Sequence, residues 1–109
     1  MVLVDYHNHT VLCRHAIGTV DEYLEEATRV GLREFGFAEH SCWMAGQTED
    51  LRLCPTKEEM LTYFKWMDER RDLYDGKNGR PKLRVGLEAD WVPQSIVEAK
   101  ELMDSYPFD

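Results

Sequence analysis

The sequence predicts an α/β fold in which parallel strands alternate with helices. Three observations carry that prediction. Short apolar runs rich in β-branched or aromatic residues occur three times, an amphipathic stretch with helical spacing follows each, and capping or turn-forming residues mark the junctions. Strands joined in this way require right-handed crossovers, which place the helices over the sheet.

Val2-Leu3-Val4-Asp5-Tyr6 has no helical period and suits a short buried strand. Thr19, three residues before Glu22, forms a capping-box pattern, and Val20, Tyr23, Leu24, Ala27 and Val30 recur at helical spacing up to Gly31. Glu34-Phe35-Gly36-Phe37-Ala38 is too short for a helix and reads as the second strand, leading into Glu39-His40. Ser41 to Pro55 lacks a period and is expected to be a long loop, a length that in compact domains tends to be functional. A second helix starts at Thr56, with Glu59 three residues on and Met60, Phe64 and Met67 on one face. Asp75 to Pro81 is dense in turn formers, Leu83 to Glu88 forms the third strand, and Pro93 opens a helix that turns Ile96, Ala99, Leu102 and Met103 inward.

The chain has 109 residues, 43% of them hydrophobic and 11% aromatic, enough for one packed domain over residues 1–109. No apolar run is long enough for a membrane span, and Met1 to Asp5 lacks the basic and apolar regions of a secretory signal, so the expected location is the cytoplasm. A net charge of −8 argues against nucleic acid or an anionic membrane as partner. An anionic substrate would then need local positive charge, which bound metal ions supply. Cys13, Cys42 and Cys54 are odd in number and widely spaced, and are expected as reduced thiols.

The four histidines carry the chemistry. His7 and His9 are two apart at the end of the first strand and so face one side. His15 follows in the loop, His40 ends the second strand and Glu88 ends the third. All five lie at or after the carboxyl ends of strands, the edge where parallel α/β folds build their sites, and converging imidazoles with a carboxylate are what transition-metal centres require.

These residues fall in four blocks. Asp5-Tyr6-His7-Asn8-His9-Thr10, Cys13-Arg14-His15-Ala16, Phe37-Ala38-Glu39-His40 and Val85-Gly86-Leu87-Glu88-Ala89-Asp90 resemble, in order and spacing, the motifs of the PHP (polymerase and histidinol phosphatase) family, most closely its histidinol-phosphate phosphatase branch. The resemblance implies the first three strand-helix units, the amino-terminal part, of a distorted seven-stranded TIM-like (β/α) barrel that this chain does not close. It implies three divalent ions, zinc, iron or manganese: His7 and His9 on the first, Glu88 bridging the first and second, His15 and His40 on the third. Further ligands come in the family from later strands. The implied reaction is hydrolysis of L-histidinol phosphate in histidine biosynthesis, with a metal-bound hydroxide as the expected nucleophile.

Arg14 is placed either to bind a substrate phosphate or to remain a solvated surface arginine. Asp90 and Glu39 flank ligands, where they either orient imidazoles or serve as surface and capping groups. Trp43 and Trp91 line a pocket or belong to packing, and Cys13 is either a ligand or a buried thiol, the latter favoured. Two other functions stand beside the phosphatase. One is a fragment that binds metal, or another chain through its open sheet edges, without turnover. The other is a PHP phosphoesterase of different substrate, including a polymerase-associated module, against which the acidic balance and the Cys13 to Ala16 block weigh.

Overall fold

The computed structural model describes residues 1–41, 53–89 and 93–109. Strand β1 (Val4–Asn8), helix α1 (Val20–Arg29), strand β2 (Glu34–Ser41), helix α2 (Lys57–Arg71), strand β3 (Lys82–Ala89) and helix α3 (Ile96–Asp104) follow one another in the predicted alternation. The sheet is parallel throughout, in the order β1-β2-β3, and open. The β2–β3 register is regular from Glu34↔Lys82 to Ser41↔Ala89, whereas that of β1 on β2 shifts between Asp5 and Asn8.

Local chemistry explains the helix boundaries. The α1 capping box is complete: Thr19 Oγ1 accepts from Glu22 N at 3.1 Å, and Glu22 Oε2 accepts from Thr19 N at 2.6 Å. Gly31, at φ +81°, takes the left-handed turn beyond its far end. Thr56 caps α2 by accepting from Glu59 N at 3.2 Å. A short 3-10 turn over Pro93–Ser95 precedes α3.

The core lies on one face of the sheet. Val20, Leu24 and Ala27 of α1 and Met60, Tyr63 and Met67 of α2 meet Phe35 and Phe37 of β2 and Leu83 and Val85 of β3. Tyr63, fully buried, places its hydroxyl 2.9 Å from Gly86 O and 3.1 Å from Phe37 O, tying α2 across both strands. Phe64, expected on one face with Met60 and Met67, is partly buried against the core and stacks on Tyr106 with ring centroids 4.4 Å apart.

Several expected burials do not occur. Val2, Leu3, Val4 and Tyr6 are exposed, because β1 is an edge strand and among the described residues nothing covers the sheet face opposite the core. Ile96 and Met103 are exposed too, and of the four positions of α3 expected to face inward only Leu102 is buried. Cys54 is disulfide-bonded, correcting the expectation of a reduced thiol, while Cys13 is free and buried. Cys42, Trp43, Asp90, Trp91 and most of the expected Ser41 to Pro55 loop lie outside the described residues. Among the described residues, no helix is long and apolar enough to cross a membrane.

Candidate metal centre

The register shift in β1 coincides with the arrival of its histidines. Asp5 Oδ1 accepts from His7 N at 3.3 Å and from Asn8 Nδ2 at 3.0 Å, and Asn8 Nδ2 also donates to Gly36 O at 3.1 Å. These bonds pin the irregular turn of backbone that carries His7 and His9, the use to which strand irregularities are often put beside sites. Past His9, Thr10 caps a 3-10 turn over Val11–Cys13, accepting from Leu12 N at 3.2 Å. Arg14, left-handed at φ +66°, ends that turn immediately before His15.

The five predicted ligands meet at one end of the sheet. His7 Nε2 and His9 Nε2 approach the same oxygen, Glu88 Oε2, at 3.1 and 2.6 Å. The other nitrogen of His9, Nδ1, is 3.0 Å from His15 Nε2, so the His9 ring bridges the two halves of the cluster. His15 Nδ1 lies 3.0 Å from Cys13 O, which accounts for a proton on Nδ1 and leaves Nε2 as a lone-pair donor. His40 stands opposite Glu88 across the β2–β3 ladder, with its ring centroid 5.7 Å from that of His9 and 6.4 Å from that of His15. Two overlapping sets, His7-His9-Glu88 and His9-Cys13-His15, each gather their ligand atoms within 4.8 Å.

This donor set fits divalent cations. Although only 2.6 Å from Glu88 Oε2, the buried His9 Nε2 makes no hydrogen bond of acceptable geometry among the described residues. A buried polar atom without a partner is costly, and a cation bound between imidazole and carboxylate removes that cost. Desolvation pushes the Glu88 carboxyl up, but the hydrogen bond from His7 and the charges of His40 and His9 outweigh it and hold Glu88 below the ordinary carboxylate value. The nitrogen-rich set suits zinc and its borderline neighbours better than calcium or magnesium.

The remaining predicted residues take other places. Arg14 Nη1 donates to Leu12 O at 2.8 Å and to Cys54 O at 2.9 Å, and Nη2 pairs with Glu59 at 2.5 Å, fastening the His15 loop to α2. Glu39 hydrogen-bonds no imidazole among the described residues; it is fully buried and accepts from Thr10. Sequence reasoning missed that anchor, yet a signal was present, since Glu39 continues the buried phase of Phe35 and Phe37 and a carboxylate there demands donors.

The sequence profile of the PHP domain matches residues 5–109. A probable histidinol-phosphatase of Deinococcus radiodurans is 31% identical over 107 residues, covering 98% of this chain and 39% of its own. The histidinol-phosphatase of Bacillus subtilis is 27% identical, with coverages of 94% and 38%. The chain thus spans well under half the length of the curated relatives it matches. Among solved structures, a candidate histidinol phosphatase from Listeria monocytogenes superposes with a TM-score of 0.78 at 19% identity, over 95% of this chain and 40% of that one. The histidinol phosphate phosphatase of Lactococcus lactis, solved with zinc, L-histidinol and phosphate, gives 0.68 at 23% identity, over 97% and 37%. The open sheet and its helices share the TIM-like fold of those structures. With a family match running from Asp5 to the last residue and the motif histidines gathered at one sheet end, the chain belongs to the PHP domain family.

Proposed function

We propose that this chain, as the amino-terminal part of a PHP domain, contributes to a metal-dependent phosphomonoesterase whose substrate is L-histidinol phosphate. The observation that carries the proposal is the convergence of His7, His9, His15, His40 and Glu88 at the carboxyl ends of three strands. The names of the relatives, and the zinc, histidinol and phosphate of the Lactococcus lactis structure, support the substrate and the metal class. His7 and His9 would hold one ion, Glu88 would bridge it to a second, and His15 and His40 would hold a third. Divalent ions there supply Lewis acidity towards phosphoryl oxygens and acidify water. The chain's own residues fix the imidazoles in place: Asp5 and Asn8 set the turn of backbone before His9, and Cys13 O orients His15. A role for Arg14 in substrate binding requires a phosphate to replace Glu59 as its partner. We place the protein in the cytoplasm, acting on a small phosphorylated molecule rather than on nucleic acid or a membrane.

One observation favours a second reading. Among the described residues β1 and β3 each pair on one side only, an arrangement that suits a chain that binds metal, or pairs with another chain along those edges, without turnover. Two measurements separate the readings. Elemental analysis of the purified chain should find zinc, iron or manganese, sharply reduced by His7→Ala with His9→Ala; unchanged occupancy refutes the ligand assignment. Release of phosphate from histidinol phosphate by the metal-loaded chain supports the enzyme, while tight metal binding without release supports the second reading.

A further inference from the structure

We propose that Glu39 is a positioning residue for the metal centre, its buried carboxylate holding the His9–Thr10 backbone against β2 and so setting where His9 and His15 stand relative to His40. The inference rests on the metal-binding reading above and goes beyond it, because Glu39 contacts no ligand side chain among the described residues.

Glu39 is entirely buried, on the core side of β2 beyond Phe37, where an apolar side chain would ordinarily stand. A buried carboxylate is costly unless donors satisfy it, so the identity of those donors is informative. Oε2 accepts from Thr10 N at 2.9 Å and from the Thr10 hydroxyl, and Oε1 accepts from His40 N at 3.1 Å. Every one of these donors is on or next to a metal-ligand candidate: Thr10 follows His9, and the third donor is the backbone of His40. One carboxylate therefore clamps the loop that carries one imidazole to the strand that carries another.

The clamp extends to His15. With its proton given to Glu39, the Thr10 hydroxyl keeps a lone pair for Leu12 N at 3.2 Å, and Thr10 O accepts from Cys13 N at 3.2 Å. That turn presents Cys13 O to His15 Nδ1 at 3.0 Å. Thr10 is itself 2% exposed, so without the carboxylate its amide and hydroxyl become buried donors with no acceptor. Supporting groups behind metal ligands typically alter metal affinity about 10- to 100-fold when removed.

The test titrates cobalt(II) into the 109-residue chain, reading affinity by calorimetry and coordination by the visible spectrum of the bound ion, with circular dichroism and thermal melting as the fold control. Glu39→Gln puts a donor amide where acceptors are needed, Thr10→Val deletes the hydroxyl at nearly constant shape, and Thr10→Ser retains it. Glu39→Gln and Thr10→Val should each weaken cobalt binding by about tenfold or more and change the spectrum, while Thr10→Ser keeps both. Where Glu39→Gln fails to fold, Thr10→Val carries the decision; if both unfold the chain, the pair is structural and the inference is overturned. Parent-like affinity and spectrum in a folded Glu39→Gln or Thr10→Val chain overturn this inference and leave the metal reading standing. Absence of cobalt binding in the parent removes the metal reading and this inference with it.

Discussion

Gly36 and Gly86 sit on neighbouring strands, and adding one methyl group to each should have opposite effects. A Cβ on Gly36 would lie 3.0 Å from Tyr6 Cα, 3.1 Å from Tyr6 O and 3.3 Å from Tyr6 Cδ1. The first two atoms are backbone, so no rotamer change relieves them and β1 must move away from β2 by some tenths of an ångström. Overpacking of this kind costs about 1–3 kcal/mol. Among the described residues, a Cβ on Gly86 meets only Phe37 O at 3.7 Å, an ordinary contact. There alanine mainly restricts the unfolded chain, which stabilises by about 0.4–1 kcal/mol. Gly36→Ala should therefore unfold at lower urea concentration than the parent and Gly86→Ala at the same or higher, the two differing by about 1–4 kcal/mol. For a domain of this size each kcal/mol corresponds to roughly 4–8 °C in Tm. Because β1 carries His7 and β2 carries His40, Gly36→Ala should also weaken metal binding. Equal stability of the two variants would refute the close approach of Tyr6 to Gly36, and with it the register of β1 that places the histidines.

Two further perturbations test the frame around the site. Thr19→Ala removes one half of the α1 capping box and should cost about 1 kcal/mol in urea unfolding; no change would mean that α1 starts elsewhere. The Glu34 carboxyl is held down at about 2 by hydrogen bonds from Arg84 and then Tyr6. Its folded-state value lies below the unfolded one, so the stability it contributes is fully present above about 4.5 and is lost as pH falls from there towards 2. Arg84→Met should raise the titration midpoint of Glu34, followed by carbon-detected NMR of the side-chain carboxyl, back towards the ordinary range; a midpoint near 4.5 in the parent would rule out the Arg84 pairing.

Much of the protein follows from the sequence by local rules. Strand and helix alternate because apolar runs of two different periods alternate, and Thr19 with Glu22 and Thr56 with Glu59 mark two helix starts because capping depends on residues three apart. The ligand candidates were legible for a similar reason: imidazoles and a carboxylate placed at strand ends share the carboxyl edge of a parallel sheet whatever the details of packing.

Burial and pairing depended on what the chain brings near from a distance, which no local pattern encodes. Val4 and Tyr6 look like core residues and are exposed, since their strand lies at an edge and one sheet face has no cover among the described residues. Tyr63, absent from the predicted face of α2, is fully buried because its hydroxyl finds the carbonyls of Phe37 and Gly86. Arg14 pairs with a residue 45 positions away, and Glu39 with one 29 positions away. The sequence by itself determined the order of elements and the chemical identity of the site. Only the tertiary structure decided that Glu39, next to a ligand in the sequence, turns into the core and holds the backbone of Thr10 and His40, because that role is set by which hydrogen-bond donors the fold delivers to it.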